Sequence, residues 1–155
     1  LEDSLGVPKV HWSGTFGNQY TVMVMDCLGK SIEDQLYSAS ASLLLKQTAG
    51  SRLDNPAVEY IHSRGFLHRD LKPDNFLLGV KSRAHYIYAI DLGLSKRYRD
   101  VRTEEHIPFR NDKSLTGTAR YASLWTHMGY EQSRRDDMEC IGYLLFYLMR
   151  GSLPW

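Results

Sequence analysis

The run His68-Arg69-Asp70-Leu71-Lys72-Pro73-Asp74-Asn75 places a carboxylate, an ammonium and a carboxamide within six positions. Asp70 can accept the proton of an incoming hydroxyl. Asn75, five residues on, can offer its amide oxygen to a hard cation such as Mg²⁺. Lys72 can set a positive charge where negative charge spreads in a transition state. The plainer alternatives are a charged turn for the run and a solvated surface lysine for Lys72. A second carboxylate, Asp91, lies in Tyr88-Ala89-Ile90-Asp91-Leu92-Gly93. A strand ending on an acid and a glycine can deliver a carboxylate to a metal at a sheet edge. Asp137 heads the most apolar run of the chain, where an acid is also favoured by the helix dipole.

The run from His68 to Asn75 resembles the catalytic loop of protein kinases, and Asp91, 21 residues after Asp70, resembles their second metal-binding acid. Kinases usually carry phenylalanine where Leu92 stands; leucine is apolar and of fair size, and the acid is intact. The resemblance implies that Asp70 accepts the hydroxyl proton, that Asn75 and Asp91 hold Mg²⁺, and that Lys72 meets the phosphoryl group. It gives Arg69 and Asp137 supporting roles, Arg69 anchoring the neighbouring loop and Asp137 bonding to the backbone of the catalytic loop.

A narrower resemblance follows from Leu115-Thr116-Gly117-Thr118-Ala119-Arg120-Tyr121-Ala122-Ser123 and Glu131-Gln132-Ser133-Arg134-Arg135-Asp136-Asp137. With Tyr98-Arg99-Asp100, His106-Ile107-Pro108 and Gly151-Ser152-Leu153-Pro154-Trp155, these are similar to the casein kinase I family. That family lacks the Ala-Pro-Glu found in most kinases before the last helix, and so does this chain. The similarity spans residues 6–36 and 57–155. It implies a serine/threonine kinase using ATP and Mg²⁺ on protein substrates with acid or phosphate a few residues before the target. Lys113 and Arg120 match basic anion-binding positions. From Lys96 to Arg120 seven Lys/Arg outnumber four Asp/Glu by three, and arginine suits phosphate because its planar fork makes two parallel bonds. A solvated basic loop remains the alternative, most evenly balanced at Lys113. The hinge match, Met25-Asp26-Cys27-Leu28-Gly29, implies nucleotide-binding roles for Asp26 and Leu28, with backbone groups of Leu28 facing adenine. Leu77 and Ile90 are then the apolar floor. Core packing is an equal alternative for Leu28, Leu77 and Ile90.

Composition and pattern supply the elements that must position these groups. The chain has 155 residues, 43% apolar and 24% charged, with a net charge of +1, the composition of a soluble globular domain. That charge gives no global pull toward nucleic acid or membrane, and no apolar run reaches the roughly 20 residues of a membrane span. Cys27 and Cys140 lack metal-ligand spacing and are expected to be reduced thiols of an intracellular (cytoplasmic or nuclear) protein. Residues 7–13 and 19–26 predict a β-hairpin turned by Ser13, Gly14, Gly17 and Asn18. Ser31 and Asp34 predict a helix over 32–37, and Asn55-Pro56 opens one over 56–64 that ends at Gly65. Between them, Leu43–Ala49 has helical character, with a break near 50–55. Short strands are predicted at 76–78 and 86–90, a long loop over 94–120, and a helix from Ser133 to Gly151 that is apolar all round and so buried.

The resemblance implies an α+β fold class: a kinase-like fold reduced to a remnant of the β-rich N-lobe with the hinge (1–30) and most of the helical C-lobe (31–155). A working kinase also needs a glycine-rich loop and a strand lysine paired with a helix glutamate, and no Gly-x-Gly-x-x-Gly occurs. The chain opens on Leu1 and stops at Trp155, both expected to be cuts through a larger domain, so inactivity of these residues alone is expected. Residues 38–56 depart from the family's single long helix and run about two residues short, through divergence or a misread coding sequence. A non-catalytic interaction module and a chain that does not fold alone are the competing readings.

Overall fold

The computed structural model describes residues 6–17, 19–38 and 56–155. The first two strands, β1 (Val10–Phe16) and β2 (Tyr20–Met25), form an antiparallel hairpin from Phe16 opposite Tyr20 to Val10 opposite Met25, irregular between Val10 and Trp12. Its turn falls after Phe16. Ser13 and Gly14, expected in the turn, lie inside β1 opposite Met23 and Val22, because the β-rich residues Thr15 and Phe16 carry the ladder three positions further.

Helix α1 (Ile32–Ser38) starts where the capping pattern predicts. The Asp34 N–H donates to Ser31 Oγ at 3.0 Å, and the Ser31 N–H returns to Asp34 Oδ2 at 3.2 Å, which satisfies two end donors reciprocally. The helical character of Leu43–Ala49 and the break near 50–55 lie outside the described residues. Helix α2 (Pro56–Ser63) opens on its proline and buries Ala57, Val58 and Ile61. Gly65 follows at φ +82, a left-handed conformation that side chains resist.

Two short strand pairs and turns then carry the chain past the core. Strand β3 (Phe66–Leu67) pairs with β6 (Lys96–Arg97), and β4 (Phe76–Leu78) pairs with β5 (Ile87–Ala89), all antiparallel. Residues 29–31 run along β4, with the Gly29 N–H on Leu78 O at 2.7 Å and the Leu78 N–H on Lys30 O at 3.0 Å. The stretch 94–120, expected to be all loop, thus contains β6 and an Arg99–His106 bridge; two-residue strands have no periodicity to read. Two helices complete the order, α3 (Leu124–His127), which no pattern announced, and α4 (Arg134–Arg150).

One core joins these pieces: Ile32 of α1, the buried residues of α2, Leu71, Phe76, Ala89, and Cys140, Ile141, Leu144 and Leu148 of α4. Each fully buried aliphatic side chain contributes about 1.5–3 kcal/mol. The expectation of an all-round buried α4 is corrected. Met138, Phe146 and Met149 are 50% or more exposed, because α4 meets the core along one stripe and nothing described covers the other. No described helix is long and apolar enough to cross a membrane.

Candidate active site

The 68–75 loop, the expected catalytic loop, hangs from Asp137. This carboxylate is 1% exposed and sits in the first turn of α4, held there by a reciprocal cap between Ser133 and Asp136. Its Oδ1 accepts the Arg69 N–H at 2.9 Å; its Oδ2 accepts the His68 N–H at 2.9 Å and Nε2 of His62 at 2.8 Å. Arg69 is thereby fixed at φ +69, and its Nε donates to the carbonyl of Leu94 at 2.7 Å, tying the loop to the turn after Asp91.

His68 is fully buried and reads both ways. One ring nitrogen, Nε2, donates to Ile90 O at 2.9 Å, while Nδ1 accepts the Asp70 N–H at 3.3 Å. A carbonyl on one side and an N–H on the other require the neutral ring with its proton on Nε2.

Asp70 is the point where the groups meet. Its Oδ1 accepts the Thr118 N–H at 2.9 Å and the Thr118 hydroxyl at 2.7 Å. Its Oδ2 lies 3.0 Å from Lys72 Nζ and 3.3 Å from Asn75 Nδ2, which also donates to the Asp70 carbonyl at 2.9 Å. Lys72 Nζ reaches Thr118 Oγ1 at 3.3 Å. Gly117, at φ +96, lies so close to the Arg69 carbonyl that a Cβ there would collide with it. Burial on its own pushes the Asp70 carboxyl up; the Thr118 hydroxyl, the hydrogen bond and charge of Lys72, and the Thr118 N–H outweigh it and hold the pKa below the ordinary 3.8.

With Asn75 Nδ2 spent on Asp70, its Oδ1 has no protein donor among the described residues. The Asn75 carbonyl accepts the Ile90 N–H at 2.9 Å, which sets Asp91 beside it in the backbone. Asp91 is exposed at φ +61, with Oδ1 on the Gly93 N–H at 3.2 Å, leaving Oδ2 without a partner among the described residues. One amide oxygen and one carboxylate oxygen are hard donors of the kind Mg²⁺ takes alongside waters and substrate phosphates. The donor set fits that ion.

The other expected positions separate. Leu77 and Ile90 are half-buried and neither belongs to the core cluster nor packs against it. Strand alternation puts Leu77, Tyr88 and Ile90 on the face opposite Phe76 and Ala89. Leu28 is half-buried in the segment that joins β4. Asp26 turns to its own hairpin, accepting the Lys9 N–H at 3.0 Å and His11 Nε2 at 2.8 Å; the Lys9 bond first, then His11, holds its pKa low. That carboxylate is engaged within the hairpin. Lys113 Nζ lies 3.4 Å from Glu131 Oε2, and Lys96 takes Oε1 at 2.7 Å. Arg120 is exposed beside the Tyr121 hydroxyl.

Two partners escaped sequence reasoning. Thr118 lies 48 positions from Asp70, and nothing in its type marks it; only its place in the Leu115–Ser123 motif could have drawn attention to it. Gln132, whose Nε2 donates to Thr116 O at 3.1 Å, holds the same motif against α4.

A family model, Protein kinase domain, matches residues 10–155. The small strand-rich part followed by helices agrees with a truncated form of that fold. Members of the family transfer phosphoryl groups and use ATP and Mg²⁺. With all but its first nine residues matched, this chain belongs to the protein kinase domain family.

Proposed function

We propose that the chain is the phosphoryl-transfer part of a casein-kinase-I-like serine/threonine kinase, acting with ATP and Mg²⁺ on protein substrates with acidic or phosphorylated residues before the target. The observation that carries this reading is the Asp70 cluster: one carboxylate, ionised at neutral pH, bound by Thr118, Lys72 and Asn75. A carboxylate held this acidic is a weak base. Phosphoryl transfer through a loose transition state needs little more than an oriented hydroxyl and a late proton acceptor, so a weak base suffices. Lys72, 25% exposed, can turn its free face to the transferring group. Bound Mg²⁺ and ATP would supply charge neutralisation and the phosphoryl group; Asn75 Oδ1 and Asp91 would hold the metal, and Leu77 with Ile90 the adenine side.

Arg120, exposed and free of a carboxylate partner among the described residues, supports anion recognition better than Lys113, which Glu131 already engages. Two free cysteines, Cys27 and Cys140, fit a reducing, cytoplasmic or nuclear setting. The missing glycine-rich loop and strand lysine support inactivity of these 155 residues by themselves, and leave a non-catalytic interaction module as the second reading.

Radiolabelled-phosphate transfer to an acidic serine peptide tests the proposal. It is run on this chain and on a chimera with a complete kinase's glycine-rich loop and strand lysine joined ahead of residue 10. The chain alone is expected to be inactive. The chimera is expected to turn over and to lose about 10²–10⁴-fold on Asp70→Asn. Equal turnover with and without that substitution contradicts the proposal.

A further inference from the structure

Between α2 and α4 lies a groove of about 510 Å³. Its walls come from three elements: Val58, Glu59, His62 and Ser63 of α2, Tyr98 and Arg99 after β6, and Arg134 and Met138 of α4. The volume is that of a site for a small organic molecule.

The lining has a definite chemistry. The Tyr98 ring is 3% exposed and pinned by its hydroxyl, which donates to His62 O at 2.8 Å. Arg134 lies 5.1 Å from the centre of that ring and has no carboxylate partner among the described residues. Arg99 lies 5.9 Å from the same centre, donates to Ser63 O at 2.7 Å, and meets Glu104 only at 3.7 Å. Glu104 is itself 73% exposed, so water screens that pair. Two guanidinium groups thus lie over the buried Tyr98 ring, with Met138, 53% exposed, as an apolar wall. Glu59, exposed on α2, is the one acid of the lining. Guanidinium forks over a ring suit a phosphate or carboxylate carried on an apolar body.

The groove also touches the machinery that holds the catalytic loop. His62 lines it, and the Nε2 of His62 donates to Asp137 Oδ2, the oxygen that accepts the His68 N–H. From His68 the ring accepts the Asp70 N–H. Three consecutive hydrogen bonds therefore run from the groove wall to the backbone of Asp70. Such a chain transmits a change only if the groove's occupancy shifts it, which a measurement can decide.

The geometry points to an effector site: the α2–α4 groove takes a small organic anion with an apolar body, through Arg134 and Arg99, and its occupancy is felt at His68 and Arg69. Phenyl phosphate is the probe, titrated into the ¹⁵N-labelled chain with inorganic phosphate and benzyl alcohol as controls for charge and ring alone. A ligand of this size is expected to bind with a Kd of about 1 mM, at least about tenfold tighter than either control. The His68 and Arg69 amides are expected to move along the same saturation curve as Arg99 and Arg134. Arg134→Ala, at an exposed position, and Arg99→Ala, at a half-buried one, are each expected to weaken binding about tenfold or more. Unchanged affinity in both variants, no saturable shift in the groove, or inorganic phosphate binding as tightly as phenyl phosphate would overturn the site. Saturation at Arg99 and Arg134 with still amides at His68 and Arg69 would overturn its link to the catalytic loop.

Discussion

In the hairpin of residues 10–25, Trp12, Phe16, Tyr20 and Met23 are each more than half exposed, whereas His68, Asp136 and Asp137 around the catalytic loop are at most 1% exposed. The hairpin is held by its own ladder and by the Asp26 contacts with Lys9 and His11. The catalytic loop is held by Asp137 of α4, itself bonded to His62 of α2, and by the N–H and hydroxyl of Thr118. A two-stranded ribbon with both faces wet is marginal in isolation, while a buried carboxylate on three donors is costly to disturb. The contrast separates a region whose order is local from one whose order is shared by the whole described body.

The largest effect should come from the shared region. Asp137→Ala leaves the His68 and Arg69 N–H groups and the His62 ring without their acceptor, and about 3–5 kcal/mol of unfolding free energy should be lost in urea titration. A loss below about 1 kcal/mol would mean the catalytic loop does not depend on α4.

Thr118→Val should rank second, at about 1.5–3 kcal/mol, the range of a hydrogen bond to a charged group. It also carries a pH signature. The folded pKa of Asp70 is depressed below 3.8, so its stabilising contribution is present above the unfolded value and is lost as pH falls through the lower folded one. The gap between parent and Thr118→Val should therefore hold from neutral pH down to about 4 and shrink below it. A gap that grows on acidification contradicts the assignment.

The hairpin substitutions sharpen the contrast from below. Asp26→Ala removes the Lys9 and His11 contacts and should lose about 0.5–1.5 kcal/mol. Phe16→Ala, at a side chain 71% exposed, should change stability by less than about 0.5 kcal/mol. A larger effect at Phe16 than at Asp137 would invert the comparison.

What the sequence disclosed divides along the same line. Asp70, Asn75 and Asp91 stand at fixed spacings that a reader can match, and Ser31, Pro56 and Gly65 mark helix ends through local chemistry. Local rules also placed the hairpin, though three residues early at its turn. The contacts that complete the site are long-range. Thr118 reaches Asp70 across 48 positions and Lys96 reaches Glu131 across 35, and no period or cap encodes either. The partner of Lys113 was equally hidden, since Glu131 belongs to another motif. For α4, apolar composition suggested burial all round, but which stripe meets the core depends on neighbours that a helical repeat cannot name.

The central proposal is that Asn75 and Asp91 would hold one metal ion beside Asp70. Paramagnetic Mn²⁺ with ATP, added to the ¹⁵N-labelled chain, tests it most directly. Line broadening should appear together at the Asn75 side-chain amide and the Asp91 and Gly93 backbone amides, and should fall at all three on Asp91→Ala. Broadening at Asn75 that persists in Asp91→Ala, or that never reaches Asp91, would show that the two oxygens do not share an ion and would contradict the account.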